Sequence, residues 1–149
     1  MTLFEGASRP RQVQPGKVHR VPSRARSARR SGATIELADG LVQHGRIDEA
    51  IAAYRDCVRH HPGNGEAWWS LANLKTFRFD DAEIRSMQAQ VEGDRLSDEA
   101  RANFQFALGK AFEDRGDYET SFGYYARGNQ LKKRASRYDA ARMHEELQA

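Results

Sequence analysis

Residues 34–64 read "TIELADGLVQHGRIDEAIAAYRDCVRHHPGN". Leu37, Leu41, Ile47, Ile51, Tyr54 and Val58 recur at helical spacing along this stretch, and "HGR" (44–46) interrupts them. The pattern predicts a helix, a tight turn at Gly45, a second helix, and a stop at Pro62. Asp48 falls in the first turn of the second helix, where an acid favours the positive end of the helix dipole.

The same grammar returns in "FALGKAFEDRGDYETSFGYYARGNQ", residues 106–130. Aligning Gly45 with Gly116 pairs Leu37 with Leu108, Ala38 with Gly109, Leu41 with Phe112, Ile47 with Tyr118, Ala50 with Ser121, Tyr54 with Tyr125 and Cys57 with Gly128. Small residues meet small ones and large meet large. Packed helix pairs demand this alternation, because small side chains permit close approach and large ones fill the space between. The offset of 71 residues fits two units of about 34 with a small excess. A middle unit is therefore expected near residue 65, where "AWWSLANLKTF" places Trp68 three residues before Leu71, with Ala72 next.

These matches resemble the tetratricopeptide repeat. In the first unit they are Leu37, Ala38, Leu41, Ala50, Tyr54, Cys57 and Pro62; in the second, Trp68, Leu71 and Ala72; in the third, Leu108, Gly109, Phe112, Tyr125 and Gly128. The second helix of the middle unit, "DDAEIRSMQAQVEGD", departs from the pattern, with Ile84 where a small residue is usual. Lys133 stands where the third unit would have proline, so its last helix is expected to run on. The resemblance implies an all-α, right-handed solenoid of about three helix pairs, with units at about 33–64, 65–98 and 99–133. "RYDAARMHEELQ" reads as a capping helix at about 138–148.

Residues 65–140 are more specifically similar to the repeat region of bacterial tetratricopeptide-repeat sulfotransferases. The stretches that carry this likeness are "EAWWSLANLKTFRFDDAEI", "LSDEARANFQFALGKAFEDRGDYETSFGYYARGNQLKK" and "YDA". In that family a catalytic domain with a phosphate-binding loop follows the repeats. The resemblance implies the repeats' fold and interaction role. It assigns no catalytic residue to these 149 positions, and a sulfotransferase catalytic domain becomes one conceivable partner.

The composition fits a thin helical architecture. Of 149 residues, 39% are hydrophobic and 30% charged. No apolar run reaches the ~20 residues that span a bilayer, and the N-terminus has no signal-peptide core. Cys57 is the only cysteine, which excludes an intramolecular disulfide and favours a reducing, cytoplasmic setting. The net charge of +3 hides a division. Residues 1–32 hold eight Arg and Lys against Glu5 alone, a balance of +7, which leaves −4 for residues 33–149. The segment 1–32 is rich in Pro, Ser and Arg and reads as a disordered basic tail ahead of the repeat domain. It could touch nucleic acid only weakly, through phosphate attraction.

No catalytic constellation, metal site or cofactor site is expected. "FALGK" (106–110) contains a Gly-Lys pair, but Phe104 and Ala111 stand where a phosphate-binding loop needs glycine and Ser or Thr. "GNGEAW" (63–68) is an inter-repeat turn. His60 and His61 are neighbours and diverge on a helix, while His19, His44 and His144 are scattered. Cys57 occupies a small-residue core position, and the carboxylate pairs Asp80/Asp81 and Glu145/Glu146 suit caps and helix surfaces. "KKR" at 132–134, with Arg137, reads as a solvated basic face.

The concave face of the solenoid is the candidate site. The register places Glu36, Asp39, Gln43, Trp69, Asn73, Phe77, Phe106, Lys110 and Glu113 along it. Trp68 takes the unit's first large core position. Trp69 is rotated about 100° from it, toward a ligand, a neighbouring helix or a larger interface. Asn73 and Lys110 fall at equivalent positions of successive units, yet acids intrude, so a protein or peptide lying along the groove is the general expectation.

Overall fold

The computed structural model describes residues 23–148. Among them lie helices α1 (Ser23–Gln43), α2 (Ile47–His60), α3 (Gly65–Ala72), α4 (Asp81–Glu92), α5 (Asp98–Asp114) and α6 (Tyr118–Gln148), and no strand. The described chain is an all-α helical-repeat solenoid. The helices pack α1 on α2, α2 on α3, α3 on α5, α4 on α5, and α5 most extensively on α6.

The two glycine turns are built alike. After α1, Gly45 takes φ +73°, its N–H donates to Val42 C=O at 3.0 Å, and Arg46 N–H donates to Leu41 C=O at 2.9 Å. After α5, Gly116 takes φ +78°, its N–H donates to Glu113 C=O at 3.0 Å, and Asp117 N–H donates to Phe112 C=O at 3.0 Å. Both are Schellman caps, in which a residue in the left-handed region lets the last carbonyls find donors. The turn then starts the returning helix at once.

The middle segment is built differently. Asn64 caps α3, its side chain accepting from Ala67 N–H at 3.2 Å. The helix ends at Ala72, and residues 73–80 replace a tight turn. Leu74, Phe77 and Phe79 of this connection are buried. The Arg78 guanidinium donates to the carbonyls of Lys75 (3.1 Å) and Phe77 (2.9 Å), which serves backbone groups the missing helix leaves open. Asp80 and Glu83 then form a capping box at the start of α4.

Aromatic and small residues share the core. Trp68 is buried between Phe79 (ring centroids 6.0 Å) and Phe104 (6.4 Å), and its indole N–H donates to Pro62 C=O at 2.9 Å. At the α5–α6 contact a Cβ on Gly109 would stand 2.8 Å from the Tyr125 ring, and one on Gly128 would stand 2.8 Å from Phe106. The two glycines set how closely these helices approach.

Three expectations are corrected here. Residues 1–22, expected as a basic tail, lie outside the described residues. Residues 23–32, read with the tail, belong to α1. Ser31 is buried there, with the Cys57 thiol 3.9 Å from its carbonyl and the Asn64 amide donating to its hydroxyl. The physical reason is that "SRARSARRSGAT" contains no proline and is rich in the strong helix formers Ala and Arg. Leu37 is 62% exposed, because α1 packs on α2 and no described helix covers its other side. Residues 138–148 are helical, but as the final part of α6, and residues 132–148 are exposed, so they cover no neighbouring helix.

Candidate functional site

The first helices of the three pairs, α1, α3 and α5, carry the candidate face. Because α3 packs directly on α5, Trp69 meets Phe106, with ring centroids 5.5 Å apart and planes at 44°. Trp69 is half-buried and Phe106 buried. Phe106 also approaches Tyr125 of α6 (6.4 Å), and Lys132 holds its ammonium 5.0 Å from the Phe106 centroid. The absent side chain at Gly128 makes room for Phe106 against α6. Trp69, Phe106, Tyr125 and Lys132 thus form one aromatic–cation cluster across three helices.

Polar groups flank it. Tyr125 hydroxyl donates to Glu113 at 2.7 Å. Tyr54, its counterpart in the first pair, donates to Asp39 of α1. Burial pushes both phenols well above their ordinary value, and the carboxylates of Asp39 and Glu113 push further in the same direction. Ser70 and Glu66 of α3 also bear on Tyr54, the first lowering its pKa by a hydrogen bond and the second raising it by its charge. Lys110 pairs with Asp114 one turn on, and Arg78 reaches the same carboxylate at 3.6 Å. Asn73 is the exposed C-cap of α3, its N–H donating to Trp69 C=O at 3.1 Å. Glu36 and Gln43 are exposed on α1.

Phe77 does not join this face. It is buried against Phe79 (4.9 Å, planes at 84°), with the Arg55 guanidinium of α2 lying 5.0 Å from its centroid. The register argument assumed that α3 continues to residue 77. It stops at Ala72, and the connection carries the phenylalanine toward α2. Conversely, Lys132, Tyr125 and Glu66 were not foreseen at the site. Lys132 follows Gly128 by four residues and Tyr125 by seven, a one-face helical spacing that the repeat alignment already contained.

Cys57 is buried, and burial raises its thiol pKa, which keeps it protonated and unreactive. His60 sits in the last turn of α2, its ring nitrogen 2.9 Å from Asp56 C=O. Among the described residues no group of three or more His, Cys, Asp or Glu is placed to hold a metal ion, and no helix is long and apolar enough to cross a membrane.

A tetratricopeptide-repeat family model matches residues 31–74. The match begins at the buried Ser31 and runs through α2 and α3 to Leu74, so this portion of the chain is similar to that family. Neither the curated proteins nor the solved structures give a match.

Proposed function

We propose that the protein is an interaction module, a helical-repeat scaffold that binds a peptide or partner domain along the face formed by α1, α3 and α5. The repeat match and the all-helical architecture support protein binding as the role. One observation carries the location. Trp69 is half-buried on Phe106 and leaves part of its indole open, and the Lys132 ammonium lies 5.0 Å from the centroid of the same Phe106 ring. An open indole within a polar surround is a favourable anchor for a partner side chain. Asp39 and Lys110 would set register by hydrogen bonds and charge, and the exposed Glu36, Gln43 and Asn73 would form the rim.

Affinity chromatography from source-cell extract tests this reading. Proteins retained by the wild type and lost with Trp69→Ala support it, provided that helicity is unchanged. Retention that is indifferent to Trp69→Ala and to Lys110→Glu would move the binding face elsewhere. The finer reading, in which these repeats belong with a sulfotransferase domain, is supported by the likeness of residues 65–140. The mass of the native protein in source cells, detected with an antibody against the repeats, tests it. A band near 16.9 kDa would sink that reading, and one larger by a whole domain would support it.

A further inference from the structure

Helix α6 holds most of the large apolar side chains exposed on the described surface: Tyr118 (70%), Phe122 (75%), Tyr138 (69%), Met143 (64%) and Leu147 (80%). At 100° per residue, Tyr118, Phe122, Met143 and Leu147 fall within an arc of about 60°, whereas Tyr138 lies on the opposite side. The four form two pairs, each spaced by four residues, at the two ends of a helix of 31 residues. The stripe between them runs through Tyr125, Asn129, Lys132, Lys133, Ser136 and Ala140. Its spacing reads the same in both directions about a point between Lys132 and Lys133.

A stripe with that symmetry matches an antiparallel copy of itself in register, with the two apolar ends of each helix meeting those of the other. We infer that α6 is a homodimerisation helix, which pairs with α6 of a second copy about a two-fold axis near Lys132 and Lys133. Tyr118 of one copy then meets Leu147 of the other, Phe122 meets Met143, and Asn129 meets Ser136. Small Ala140 lies opposite the Tyr125 side of the stripe, which is already turned onto α5. Four exposed large side chains per copy represent on the order of 1,200 Å² across two copies, at the lower edge of specific interfaces. The pairing leaves α1, α3 and α5 uncovered and brings the second copy close only to Lys132, which also stands over Phe106 at the candidate face. Lys133 faces its own copy near the axis, and added salt therefore strengthens the dimer by screening that repulsion.

Sedimentation equilibrium on the full 149-residue chain tests the inference. Reversible dimers are expected that tighten as salt rises. Phe122→Asp should weaken association by at least 100-fold, and Tyr138→Asp, equally exposed on the other side, should leave it unchanged. Both positions are exposed, so helicity by circular dichroism stays at the wild-type value. Register is read by oxidative cross-linking. A mixture of Phe122→Cys and Met143→Cys chains should give a mixed disulfide dimer, while neither variant alone should cross-link, because positions 122 of the two copies lie about 32 Å apart. A chain that stays monomeric, a Phe122→Cys chain that links to itself, or association that weakens with salt would each overturn the proposal.

Discussion

The outer helix pairs and the middle pair solve one problem by different means. In α1–α2 and α5–α6 a glycine in the left-handed region closes a Schellman cap, and the chain reverses within three residues. In each, a tyrosine of the second helix reaches back to a carboxylate of the first, Tyr54 to Asp39 and Tyr125 to Glu113. The middle segment has no glycine at the turn and no residue with positive φ. It shortens its first helix, spends residues 73–80 on the connection, and plugs the gap with Leu74, Phe77 and Phe79. Backbone geometry closes the turns of the outer pairs, and aromatic packing fills the connection of the middle one. The two kinds of stabilisation respond to different substitutions.

The largest effect is expected in the middle. Trp68→Ala removes the ring that joins Phe79 of the connection to Phe104 of α5, and it leaves the Pro62 carbonyl without its donor. A loss of about 3–5 kcal/mol is expected for a buried aromatic of this size, read as a fall in the urea midpoint. A loss under ~1 kcal/mol would show that the connection is held by something other than this stack.

Next comes the α5–α6 contact. Gly109→Ala would set a methyl 2.8 Å from the Tyr125 ring, with no flexible end to yield. Overpacking of this kind costs about 1–3 kcal/mol. The corresponding residue in the first pair is already Ala38, which is buried without strain. Ala38→Gly should instead destabilise by roughly 0.5–1 kcal/mol of helix propensity plus about 0.8 kcal/mol for the buried methyl it removes, a loss of packing where Gly109→Ala overpacks.

The glycine turns come third. Gly45→Ala and Gly116→Ala each force a Cβ into the left-handed region at a cost of about 1–2 kcal/mol, although neither methyl would meet a neighbour. Equal penalties at the two sites, measured by thermal unfolding, would show that the turns are equivalent. Unequal penalties would mean that packing, not φ, sets the cost.

These comparisons also explain what the sequence made legible. Residues 45 and 116, with the paired small and large positions around them, were readable because a Schellman cap and a close helix crossing accept few residue types. The connection 73–80 was not, because Phe77 and Phe79 sit at spacings that suit a continued helix as well as an irregular plug. Trp69 was placed on the first-helix face by register alone. Lys132 was passed over because a basic run reads as a solvated face unless Phe106, 26 residues earlier, is known to lie beneath it. Chain reversal brings those two together, and local periodicity carries no record of it. The extent of α1 was missed for a similar reason. Arginine-rich composition suggested a tail, whereas the burial of Ser31 depends on Cys57 and Asn64 in later elements.

The smallest expected effect concerns the feature the outer pairs share most closely. Both tyrosine phenols are raised by burial first and by their acidic partners second. The protonated phenol is the neutral form and the hydrogen-bond donor, so the folded state retains a proton that the unfolded chain releases near pH 10. Stability from these groups is fully present below the unfolded value and declines as pH rises above it toward the folded value. Urea midpoints measured between about pH 9 and 11 should fall more steeply for the wild type than for Tyr54→Phe or Tyr125→Phe. Lysine titration contributes equally to all three proteins and cancels in the difference. If both tyrosines behave as the same device, each single substitution removes a similar part of the slope, and the double variant removes the sum, since the two sites lie in separate helix pairs. A slope that only Tyr54→Phe reduces would locate the stronger coupling in the first pair, although each phenol has a second negative charge nearby, Glu66 for Tyr54 and Asp114 for Tyr125.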